Sequence, residues 1–174
     1  MKRVKKIVSV FIIIVCVIAS CKKPDEYPDT PTLEFRSLTF SKDTSGFATF
    51  TISARFTDGD GDVGYDAADY PDASGPYYSN FVLTMLRFHN GVWTDTIEWC
   101  METNDTLGIF NMPTRIPNLT PTGKNKSLKG DISKTEDLPA CLLDTIKIRA
   151  FLYDRALHKS NTIESPAYFI DTTH

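Results

Sequence analysis

Between Ala48 and Thr57 apolar and polar residues alternate without a break: Ala48, Phe50, Ile52, Ala54 and Phe56 interleave with Thr49, Thr51, Ser53, Arg55 and Thr57. Successive side chains of a strand point to opposite faces, so this segment puts one face into a core and the other into water. Other segments read the same way. Phe81 to Phe88 and Val92 to Trp99 flank Asn90-Gly91, a pair that tolerates positive φ and suits the type I′ turn of a hairpin. Ile146, Ile148, Ala150 and Leu152 alternate with Lys147, Arg149 and Phe151, and Ala167 to Asp171 makes a terminal strand that Pro166 assigns to an edge. Leu33 to Phe40 is an opening strand whose apolar residues change parity between Phe35 and Leu38, as a bulge or a switch between sheets would produce. Leu128 to Ile132 is a further short strand. After residue 20 no stretch sustains helical spacing for three turns. About seven strands and no long helix between Leu33 and His174 predict an all-β domain, an antiparallel β-sandwich.

The N-terminus has a different character. Lys2, Arg3, Lys5 and Lys6 precede an apolar run from Ile7 to Ile18 that only Ser9 interrupts, the layout of an export signal. A membrane-spanning helix needs about 17 to 25 apolar residues, and this run meets Lys22 and Lys23 too soon. Ile18-Ala19-Ser20-Cys21 resembles the lipobox of bacterial lipoproteins: an aliphatic residue, two small residues that fit the signal peptidase, and a cysteine whose thiol receives diacylglycerol. That resemblance implies cleavage after residue 20, lipid on Cys21 and a membrane anchor held by two or three acyl chains. Residues 22–32 carry Pro24, Pro28 and Pro31 among charged residues and read as a tether spanning about 30 Å. The expected organisation is thus a signal at 1–20, a lipidated tether at 21–32 and one domain at 33–174.

Loss of the signal would leave 15 basic residues against 22 acidic ones, a surface that repels phosphate backbones and argues against nucleic acid as a partner. Cys100 and Cys141 would then be the remaining thiols in an oxidising compartment. A disulfide between them is the default expectation, and two unpaired buried cysteines are the alternative.

Two segments carry a further resemblance: Phe56-Thr57-Asp58-Gly59-Asp60-Gly61-Asp62-Val63-Gly64, at the close of the cleanest strand, and Tyr153-Asp154-Arg155-Ala156-Leu157-His158-Lys159-Ser160-Asn161, before the last one. With the lipobox they resemble uncharacterised immunoglobulin-like envelope lipoproteins of the Bacteroides and Flavobacterium group. The resemblance implies an immunoglobulin-like fold and an outer-membrane location, periplasmic or surface-exposed, and implies no established activity. Asp95-Thr96-Ile97, Asp105-Thr106-Leu107, Asp144-Thr145-Ile146 and Asp171-Thr172-Thr173 look like the O-glycan acceptor tripeptide of the same bacteria.

Asp58, Asp60 and Asp62 alternate with glycines that let the backbone fold tightly while hard oxygens converge, the arrangement calcium favours. An EF-hand loop would need glycine and glutamate where Val63 and Asp69 stand, so this is not one. In the implied topology Asp154 joins the same pole, giving Asp58, Asp60, Asp62 and Asp154 as candidate calcium ligands. The competing reading is a tight solvated turn. His89, His158 and His174 form no metal or triad spacing, and no nucleophile motif or glycine-rich phosphate loop appears. The expectation is a non-catalytic binding or scaffolding module. The alternative is a metal-dependent hydrolase using the Asp58, Asp60 and Asp62 cluster. Tyr65, Tyr70, Tyr77 and Tyr78 lie in a long loop and are candidates for holding a glycan or an envelope protein, whereas Trp93 is expected to pack on Phe88 across the hairpin.

Overall fold

A computed structural model describes residues 26–42, 48–97, 108–109, 111–138 and 145–169; Cys21, Cys100 and Cys141 lie outside them. The described residues are all-β with no helix, and their strands pair antiparallel in open sheets that do not close into a barrel.

The alternating segment becomes β2 (Ala48–Asp58), the centre of a three-stranded sheet flanked by β1 (Thr32–Lys42) and β8 (Leu128–Leu138). Its register with β1 slips between Phe35 and Ser37. That bulge is the cause of the parity change. It keeps Leu33 and Phe35 on one side of it, and Leu38 and Phe40 on the other, against the same core. On the outer face the rows are polar: Thr51 meets Thr135 at 2.8 Å, Ser53 meets Ser133 at 2.7 Å, and Arg55 forks onto Asp131 at 2.8 and 3.0 Å.

β8 is longer than the short strand expected from Leu128 to Ile132. Past Ile132 the inward positions hold Lys134 and Glu136, which pair at 2.9 Å, so no apolar alternation marks the extension. Charges pointing inward on an edge strand also discourage pairing with another chain.

The second sheet centres on β3 (Phe81–His89) and β9 (Thr145–Leu152). β4 (Val92–Thr94) and β7 (Asn111–Thr114) share the other edge of β3, while β10 (Ile163–Glu164) and β11 (Tyr168–Phe169) pair with β9. Asn90 and Gly91 have φ of 50° and 82°, as a type I′ turn requires, and Phe88 lies opposite Trp93 with ring centroids 5.2 Å apart. The hairpin's second arm, expected from Val92 to Trp99, stays with β3 only through Thr94. The next pair, β5 (Thr96–Ile97), joins β6 (Gly108–Ile109) instead.

Inward rows from both sheets form one core: Phe50, Ile52, Ala54, Phe56 and Ile132 face Phe81, Leu83, Met85, Ile146, Ile148, Ala150 and Leu152. The result is a two-layered, sandwich-like fold. Asn80 is one of the polar side chains wholly buried where the layers meet the loops. Asn80 donates from Nδ2 to the Ile116 carbonyl at 3.1 Å and accepts the Ile116 N–H at Oδ1 at 2.6 Å, while its own carbonyl takes the Tyr153 N–H at 2.7 Å. Asn80→Ala strands both Ile116 groups in the interior. We expect it to cost about 2 to 3 kcal/mol, read as a lower urea midpoint at unchanged slope.

Candidate metal centre

The site follows from strand parity. In β2 the residues facing the core are 50, 52, 54 and 56, so residue 58 faces it too; in β9 they are 146, 148, 150 and 152, and residue 154 continues the row. Each inward row therefore ends in an aspartate. Both Asp58 and Asp154 have no exposed surface. An antiparallel bridge between Val63 and Asp154 ties the two row ends together at one pole of the fold.

Chain reversal after β2 depends on glycines. Gly61 and Gly64 have φ of 74° and 92°, a region that L residues adopt at a cost. A Cβ on Gly61 would lie 1.9 Å from the Lys126 carbonyl oxygen, and one on Gly64 would lie 2.0 Å from that of Pro117. The loop is therefore pressed directly against its neighbours, main chain on main chain. It is zipped to them by Tyr65 N–H to Ile116 O at 3.0 Å, Asn118 N–H to Tyr65 O at 3.1 Å and Leu119 N–H to Val63 O at 3.1 Å.

Inside this turn Asp58, Asp60 and Asp62 each offer an oxygen, all within 4.8 Å of one another. Ligands on opposite sides of a calcium ion are roughly 5 Å apart, so one ion can touch all three. The remaining bonds leave specific atoms open. Asp58 Oδ2 accepts the Asp62 N–H at 2.9 Å, and Asp62 Oδ2 accepts the Ala156 N–H at 3.1 Å. Asp58 Oδ1 and Asp62 Oδ1 are buried with no hydrogen-bond partner. Asp60 is exposed and stands at the solvent side.

Carboxylates crowded in this way resist ionisation. Burial, then the charges of Asp60 and Asp62, push Asp58 up to about 6; burial, then Asp154, push Asp62 above the usual carboxylate range.

Asp154 reaches the pole but is not one of the three that converge there, and its oxygens are taken up by His158. Its Oδ1 accepts the His158 N–H at 2.7 Å and its Oδ2 pairs with His158 Nδ1 at 2.9 Å, so both oxygens have partners. Burial still raises Asp154, and the hydrogen bond and charge of Asp154 hold His158 above its ordinary value. Among the described residues the group that could hold a metal ion is thus Asp58, Asp60 and Asp62, with Asp154 at the same pole but outside it. The role of His158 carried no sequence signal beyond its place in the Tyr153 to Asn161 segment.

The four loop tyrosines are largely turned inward. Tyr65 is buried, Tyr70 and Tyr78 are half-buried, and Tyr77 is 38% exposed. Tyr65, Tyr70, Tyr77 and Tyr153 form a chain of rings with successive centroids 4.9, 6.2 and 5.4 Å apart. The Arg115 guanidinium lies over Tyr65 and Tyr78 and donates to the carbonyls of Asp66, Asp69 and Tyr78. Tyr70 donates its hydroxyl to the Arg155 carbonyl at 2.8 Å. This network fastens the long loop to the same pole as the aspartates. Arg115 was missed in the sequence because its partners are carbonyls far along the chain, which no motif marks.

Comparison with protein-family models, with curated proteins and with solved structures finds no match for this chain.

Proposed function

We propose that this chain is a membrane-anchored extracytoplasmic lipoprotein whose immunoglobulin-like domain is a non-catalytic binding or scaffolding module stabilised by a structural calcium ion. The observation that carries the calcium reading is the pair of buried, unpartnered oxygens, Asp58 Oδ1 and Asp62 Oδ1, in a cluster that includes Asp60. Buried polar atoms without partners are rare, and a carboxylate oxygen in that state is costly unless a cation meets it. Three acidic oxygens on a tight glycine turn suit a hard cation of flexible geometry. The calcium ion, when bound, supplies charge neutralisation and a coordination centre for the turn.

Extracellular modules bind calcium with dissociation constants of about 0.1 to 1 mM. At a constant of roughly 0.1 mM, 1 mM calcium adds about 1.4 kcal/mol to unfolding, or roughly 3 to 5 °C in melting temperature. Magnesium, which demands a tighter octahedron, should do less. Equal melting temperatures in excess chelator and in millimolar calcium would reduce the aspartates to a turn. A hydrolytic turnover lost on chelation would favour the metal-dependent hydrolase instead.

The anchor rests on the lipobox and the short apolar run before it. Cys21→Ala should abolish incorporation of labelled fatty acid and release the protein from the membrane. A variant that stays labelled and membrane-bound contradicts the anchor. Partners in this reading are the membrane and a glycan or envelope protein.

A further inference from the structure

The residue between the first two candidate ligands is Gly59, and it touches the base of the N-terminal segment. Its N–H donates to the Pro28 carbonyl at 2.8 Å. A Cβ there would lie 2.3 Å from the Tyr27 carbonyl oxygen and 2.8 Å from the carbonyl carbon and oxygen of Pro28, so the two main chains are in direct contact. From the other side Ser127 Oγ donates to the Gly59 carbonyl at 3.3 Å. Farther along, Pro31 is buried, and Asn161 grips Leu33 through both backbone groups, at 2.8 and 2.9 Å. Between Pro28 and Pro31, Asp29 and Thr30 are exposed. The segment is thus fixed twice, at Leu33 by the loop after His158 and at Pro28 by the acidic turn itself.

Resting on the calcium reading above, we infer that the cation acts as a clamp on this segment: binding at Asp58 and Asp60 fixes Gly59 in the position that holds Tyr27 and Pro28. Without the ion, three carboxylates repel one another across the turn, and Gly59 has an acidic neighbour on each side. Any ligand that favours the closed turn favours the contact built on it, because the two belong to one equilibrium. The consequence is mechanical. Clamped at Pro28, the domain's fixed point lies 7 residues from Cys21; released as far as Thr32, it lies 11 residues from it. Calcium would then set how far the domain stands from its anchor and turn the acidic pole toward it.

Hydrogen exchange on the full-length protein in detergent tests this, with 1 mM calcium chloride against excess chelator. In chelator, Gly59 and residues 26–30 should exchange faster than the core amide of Ile148; calcium should slow them about tenfold. In Gly59→Ala the added Cβ displaces Tyr27 and Pro28, so the calcium effect on residues 26–30 should vanish, while calcium still raises the melting temperature, by less than in the wild type because the lost contact no longer supports the closed turn. If calcium raises the melting temperature of the wild type but leaves Gly59 and residues 26–30 unchanged, the clamp is wrong and the calcium site stands. Retention of the effect in Gly59→Ala also overturns the clamp. If calcium alters neither melting nor exchange, the site and the clamp fall together.

Discussion

At pH 7.5 in the absence of calcium, Asp58→Asn should melt higher than the wild type, and calcium should no longer shift it. In the folded chain Asp58 is pushed from 3.8 up to about 6. For a group raised by folding, the stability linked to its proton is fully present below 3.8 and is lost as pH rises through about 6. At pH 7.5 the folded state therefore bears the ionised carboxylate in full, at a cost of about 2 to 3 kcal/mol. Asparagine removes that charge, keeps an acceptor for the Asp62 N–H and offers donors where Oδ1 had no partner. We expect a gain of about 2 kcal/mol, near 5 °C. Acidifying the calcium-free wild type from pH 7.5 to 5 should move it the same way, and the raised His158 adds to that direction. Calcium works with the opposite sign, because it takes the ionised carboxylates: its stabilisation should be full at pH 7.5 and fade as pH falls through about 6. Thermal melts of both proteins at the two pH values, with chelator and with calcium, read all of this. A calcium-free Asp58→Asn that melts below the wild type would show that the turn is relaxed without an ion.

The second large effect is expected from Gly64→Ala, with Gly91→Ala as its control. Both glycines have positive φ, 92° and 82°. At Gly91 a Cβ meets nothing within 4 Å, so only the backbone cost applies, about 1 kcal/mol. At Gly64 the same Cβ would sit 2.0 Å from the Pro117 carbonyl oxygen and 2.9 Å from the Asn118 Cα. Backbone must move there, and the neighbouring bonds from Asn118 to Tyr65 and from Leu119 to Val63 weaken with it. We expect a loss of about 4 kcal/mol. The acidic turn lies beside this contact, so calcium affinity should drop as well. Equal losses at the two glycines would mean that the turn is not pressed on its neighbours as described.

Parts of this architecture were legible because a single physical rule governed them. The alternation through Phe56 needed only the two-residue period of a strand, and the same period, continued one step, buries Asp58. Continued past Leu152 it buries Asp154. The Phe35 to Leu38 parity change and Asn90-Gly91 also located a bulge and a turn. What the sequence hid has equally physical causes. The far half of β8 has Lys134 and Glu136 on its inner side, and β10 and β11 are two residues each, too short to show any period. β6 and β7 lie in a proline- and glycine-bearing stretch whose strands are set by pairing with distant partners. Asn80 and Arg115 act on carbonyls or amides more than 35 residues away, contacts without a local signature. The candidate trio was visible as a motif. Which of its oxygens lack partners, and that Asp154 is held by His158, became visible only once the two row ends met.

Calorimetric titration of calcium into the purified protein at pH 7.5 tests the central claim most directly. One site per chain with a dissociation constant near 0.1 to 1 mM, lost in Asp58→Asn and in Asp62→Asn, is the expected result. Absence of binding at millimolar calcium, or binding that survives both substitutions, would contradict it.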